Sequence, residues 1–212
     1  MNHGQFICIH RRVFESGIFY ALAEQKLVGL ANLFPDDEIE IFLGMRDPAT
    51  FIPAVFGDSP VNSYDTFMQG LDPAHVRWSD LIARIRAILP RATITTWCNE
   101  DTPLIWAQLI RELDGIDPLT KITGGFDLLS AIMSAEGMKK FVGYLKANPP
   151  QTETQKRRII AAFLEKYALD EEVEDEVDMP GWTDEYVTHL TALYDEDIYR
   201  VERMEGVNFI AP

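Results

Sequence analysis

The stretch "EIEIFLGMRDPATFIPAVF", residues 38–56, decides the fold. It reads as a buried strand that ends on a charged pair and turns at once into a helix. Asp47 can accept the unpaired amides of a helix start, and Pro48 suits the first helical position, where no donor is needed. A strand that passes directly into a helix is the building step of an α/β layer. Arg46 stands at the joint, and its fixed fork of donors suits a phosphate or sulfate group.

Working outward, "QFICIH" (residues 5–10) is short and apolar enough to be read as another buried strand. Residues 20–34 read as a helix with Leu22, Leu27, Leu30 and Leu33 available for packing, stopped by Pro35 and two aspartates. Residues 73–89 repeat the helical spacing through Val76, Leu81, Ile85 and Ile88, and "ATITTWC" (92–98) follows as a strand. Helix followed by strand thus occurs twice, which predicts a mainly parallel sheet with flanking helices. After "NEDTP" the pattern changes. Residues 103–113, 125–133, 136–146, 153–168 and 183–198 all read as helices, joined by "DGIDP", "NPPQTE" and "MPGWTD". The closing "GVNFIAP" either adds a short strand or packs an apolar tail. With no internal repeat and no long linker, residues 1–212 are expected to form one α/β domain with a helix-rich C-terminal portion.

The formal charge is −15, from 34 acidic and 19 basic residues. Residues 165–205 hold 15 carboxylates against Lys166, Arg200 and Arg203, a net of −12, so this region carries nearly all the excess. That balance argues against adhesion to nucleic acid or an anionic membrane, and it motivates a basic protein partner as an alternative. The two cysteines, Cys8 and Cys98, lie in apolar runs, which reads as a reducing compartment rather than a disulfide scaffold. With no apolar run of membrane length and no signal region, a cytoplasmic location is the simplest expectation.

Ligands of open parallel sheets sit beyond the carboxyl ends of the strands, where helix N-termini converge. Arg46 lies at one such end. At another, Thr102 can cap a helix opening on Pro103, which leaves Asn99, Glu100 and Asp101 as polar groups; Glu100 or Asp101 would serve as a general base if its pKa were raised. In "QKRRII" (155–160), Lys156, Arg157 and Arg158 form an anion-binding candidate, or else a solvated face above Ile159, Ile160, Phe163 and Leu164. The chain contains neither GxxxxGK[ST] nor GxGxxG. Its four histidines and two cysteines lack metal-ligand spacing, and "DEEVEDEVD" (170–178) lacks the calcium-loop alternation and reads as a solvated acidic face. No metal ligand is assigned, and the cofactor is left open.

Through "LFPDDEIEIFLGMRDPATFIPAVF", "WCNEDTPLIW", "KITGGFDLL", "QKRRIIAAF" and "PGWTDEYV" the chain resembles a group of alphaproteobacterial proteins without an assigned activity. Around "RDP" it resembles the sulfotransferase-like branch of the P-loop fold. That resemblance implies that Arg46 matches the arginine contacting the 3'-phosphate of the adenylyl sulfate donor. The family's serine eight positions further on is Ala54 here, so one of two expected contacts is missing. Family members also begin with a strand and a phosphate loop. Met1 lies only a few residues before the segment resembling the second core strand, so the resemblance implies a domain N-terminally incomplete relative to the family. A sheet shortened in this way would expose strand edges that a second copy of the chain could cover. The expected function is that of a degenerate or truncated sulfotransferase-like protein with residual affinity for an adenine nucleotide or other anion. The alternative is a noncatalytic interaction module that uses its acidic C-terminal face.

Overall fold

A computed structural model describes residues 5–117, 120–169, 179 and 181–212. In chain order the helices are α1 (Ala23–Leu33), α2 (Pro48–Gly57), α3 (Tyr64–Met68), α4 (Trp78–Ile88), α5 (Thr102–Leu113), α6 (Asp127–Ile132), α7 (Ala135–Ala147), α8 (Glu153–Tyr167) and α9 (Asp184–Val201). The strands are β1 (Glu40–Met45), β2 (Thr93–Cys98) and β3 (Val207–Phe209). The fold is mixed α/β, with a small parallel sheet and flanking helices. The described residues group into two compact units, one within 1–96 and 177–209 and the other within 97–176 and 210–212.

The sheet has the order β1-β2-β3. β2 and β3 run parallel, with Ile94, Thr95 and Thr96 opposite Val207, Asn208 and Phe209. "GVNFIAP" therefore supplies a strand. The "QFICIH" expectation is corrected: among the described residues, this segment makes no strand and leads into a 3-10 turn at His10–Arg12. Its apolar character serves burial of another kind. Cys8, Val13 and Phe14 are buried, and Phe14 stacks on Phe19 and meets Phe67 edge-on. A short apolar run states only that the segment is covered, not which backbone pairing covers it.

In the first unit, Asp47 does cap α2, accepting the Ala49 amide at 2.8 Å. The helix expected over 73–89 is broken. Pro73–His75 forms a 3-10 turn, Val76 and Arg77 are extended, and α4 begins at Trp78. No local side chain caps α4. The cap comes instead from α9, where buried Asp197 accepts the amides of Trp78 at 2.7 Å and Ser79 at 3.2 Å and a short hydrogen bond from the Ser79 hydroxyl. One turn earlier on α9, Tyr194 donates to the Met45 carbonyl at 3.3 Å, and Thr191 donates to Asp47 at 2.6 Å. The carboxyl end of β1 and the N-termini of α2 and α4 are thereby held by one face of α9. Trp182 adds a bond to the Ala49 carbonyl at 2.7 Å.

The second unit packs Leu129, Met133, Phe141 and Ile160 into one core, with Phe126 and Phe163 edge-on to Phe141. Ile210 joins Ile105 and Leu109 on α5. α7 meets the end of α8 at Gly137, where an added Cβ would stand 2.4 Å from the Tyr167 Cβ. A glycine is required there for the helices to approach so closely.

Because Asp197 is a buried acceptor for three donors, Asp197→Ala is expected to lower stability by about 3 kcal/mol, measured as a reduced urea midpoint at unchanged slope. Alanine at its exposed neighbours Asp195 and Glu196 is expected to change stability by less than about 0.5 kcal/mol.

Candidate anion-binding site

The residues expected to bind an anion fall in different units: Arg46 in the first, Arg157 and Arg158 in the second. Arg46 is half-buried. Its Nε donates to Thr50 Oγ1 at 3.0 Å, and its carbonyl accepts Trp78 Nε1 at 2.9 Å. The neighbouring α2 N-terminus, however, already holds a carboxylate. Asp47 is buried, bonded to the Ala49 amide and to Thr191. An anion approaching there meets a fixed negative charge in a low-dielectric setting, which opposes the dipole of the helix.

A different geometry occurs between α5 and α8. The basic run expected from "QKRRII" is divided by the helix: Arg158 is exposed, whereas Lys156 and Arg157 are half-buried. Arg157 donates from Nη1 to the Ala211 carbonyl at 2.6 Å, and makes a short bond from Nη2 to Gln108 Oε1. Arg111 lies one turn beyond Gln108 on α5 and is buried, with only 9% of its side chain exposed. Its Nη2 stands 3.5 Å from Glu153, the first residue of α8, and Lys156 Nζ stands 3.6 Å from the same carboxylate. Among the described residues, the buried Nε atoms of Arg111 and Arg157 have no hydrogen-bond acceptor. A buried donor without a partner costs about 1–3 kcal/mol, more when it is charged.

Arg111 is the residue that reading the sequence misses, because arginines on an amphipathic helix are ordinarily placed on its wet face. The signal present was its spacing. Arg111 follows buried Ala107 by four residues, so both share one face of α5.

Asp101 belongs to the same neighbourhood. Burial raises its carboxyl pKa above the ordinary range and exposed Glu100 adds to that, while Arg157 pulls it back. Thr102 is not the cap expected: it lies in helical conformation, and its hydroxyl accepts Trp97 Nε1 at 3.2 Å. A 3-10 turn at Asn99–Asp101 leads into α5, and Asp101 at the cap position makes no side-chain capping bond.

Elsewhere, an open cleft of about 440 Å³ lies between the α1–β1 and α4–β2 connections and is lined by Asp36, Asp37, Glu38 and Glu40 with Arg91. Its charge suits a cation. Among the described residues, no group of three or more His, Cys, Asp or Glu side chains could hold a metal ion, and no helix is long and apolar enough to cross a membrane. The acidic run 170–178 lies outside the described residues. No protein-family model, curated protein or solved structure matches the chain.

The raised pKa of Asp101 fixes the sign of a pH effect. Its folded form binds a proton more readily than the unfolded chain, so its contribution is most favourable below the unfolded pKa. It declines as pH rises from there through the folded value. Asp101→Asn is expected to raise the melting temperature at pH 7 and leave it unchanged near pH 3, flattening this part of the profile.

Proposed function

We propose that the chain binds a phosphate- or sulfate-bearing ligand through Arg111, Lys156 and Arg157 of the second unit. The observation that carries this reading is buried Arg111, whose guanidinium reaches Glu153 at 3.5 Å while its Nε lacks an acceptor among the described residues. Arg111 and Lys156 share Glu153, while Arg157 acts on Asp101, whose carboxyl pKa burial raises. An oxyanion offers several acceptors at once and can satisfy donors that a single carboxylate at this distance does not.

The resemblance around "RDP" supplies the ligand to try first, 3'-phosphoadenosine 5'-phosphate, and a degenerate sulfotransferase-like protein is the evolutionary reading that accompanies it. Arg46, with Thr50 beside it, is the competing location within that reading. Transfer chemistry is not part of the proposal.

A second reading has its own observations. α9 exposes Asp184, Glu185, Asp195 and Glu196, Glu202 and Glu205 follow it, and Arg200 and Arg203 are the exposed basic residues of this stretch. Together with the acidic cleft, this surface supports a basic protein as partner. Rim charges of this kind act mainly on encounter rate and salt dependence.

Calorimetric titration with 3'-phosphoadenosine 5'-phosphate separates the locations. Lys156→Gln and Arg157→Gln are each expected to weaken binding roughly tenfold, while Arg46→Ala leaves it unchanged. Loss of binding in Arg46→Ala alone would move the site to the end of β1. No heat at millimolar ligand from a folded sample, with a basic peptide binding in a salt-sensitive manner, would favour the acidic surface instead.

A further inference from the structure

Resting on the anion-binding reading, we infer that Glu153 is a built-in occupant of the α5–α8 site, and that the ligand is a doubly charged oxyanion, a phosphate monoester, which displaces it. Glu153 is the first residue of α8, and half of its side chain is exposed, at 51%. It approaches Arg111 at 3.5 Å and Lys156 at 3.6 Å. Both separations exceed the roughly 2.7–2.9 Å of a charge-assisted hydrogen bond. The carboxylate therefore balances charge without closing on either cation, and solvent is directly available to receive it.

The cations are held differently from their counterion. Arg111 is buried, Lys156 has 18% of its side chain exposed, and Arg157 is fixed by Ala211 and Gln108. What can move is Glu153. Thr152, which caps α8 through the Gln155 amide at 3.1 Å, keeps the helix start in place without it.

Charge selects the ligand class. With Glu153 swung out, Arg111 and Lys156 lose the carboxylate they share, which leaves a surplus of two positive charges between them. A phosphate monoester carries about −1.5 to −2 at pH 7 and matches that surplus, whereas a sulfate monoester carries a single charge and leaves part of it uncompensated.

The test measures methyl phosphate and methyl sulfate binding to the whole chain by calorimetry, in wild type, Glu153→Gln and Glu153→Ala. Expected are methyl phosphate binding tighter than methyl sulfate, and a gain of about fivefold for methyl phosphate in both variants, since a competing charge has been removed. Binding by Glu153→Gln where wild type shows none would support the inference more strongly still. Unchanged or weaker binding in both variants overturns the role of Glu153 but leaves the anion site standing, provided Lys156→Gln still abolishes or weakens binding. Methyl sulfate binding as tightly as methyl phosphate overturns the assigned ligand class. No binding by any folded form overturns both the inference and the reading beneath it.

Discussion

The first unit depends on one buried carboxylate. Asp197 leaves α9 to take two backbone amides and a hydroxyl at the start of α4, 119 residues earlier in the sequence. An uncapped helix start buried in the core would leave several donors unsatisfied, so α4 can lie there only if α9 arrives. α9 can arrive only in one register, because Tyr194 and Thr191 must at the same time meet Met45 and Asp47. The consequence is chemical as well as architectural. The strand end and helix starts that would receive a ligand in an open α/β sheet are satisfied from within.

The second unit has the opposite condition. Its hydrophobic core is closed by Phe141, Leu129 and Ile160, and Gly137 lets α7 lie against Tyr167. Its polar side is left short of acceptors. Arg157 ties α8 to Gln108 on α5 and to the carbonyl of Ala211, yet a donor on it and another on Arg111 remain without acceptors among the described residues. Proteins rarely retain such groups for stability, since an apolar residue of similar volume would serve as well or better. Each such donor calls for an account of its own, and the proposed ligand is one.

What was legible in the sequence follows the range of the interactions. β1, α2 and the Asp47 cap were readable because strand, cap and proline act within a few residues. The helices of the second half were readable from periodicity and linkers, and their observed bounds lie within a few residues of those expected. The break before α4 was not readable, since its cap comes from Asp197. Nor was the fate of "QFICIH", whose burial is aromatic rather than strand-paired. At the site, the basic run pointed to Arg157. Arg111 and Glu153 became visible only when α5 and α8 were brought side by side.

Two carboxylates at two helix starts show why these ends are not equivalent. Asp47 is buried at α2, with bonds of 2.8 and 2.6 Å, and removing it would strand the Ala49 amide and the Thr191 hydroxyl together. Glu153 is half-exposed at α8, and its separations of 3.5 and 3.6 Å give each cation little that water could not. Both satisfy the same dipole with the same functional group. Burial and bond count make the first a permanent part of the fold and the second replaceable. An anion can compete only where the resident charge is loosely held, which is why the proposed reading favours Arg111 over Arg46.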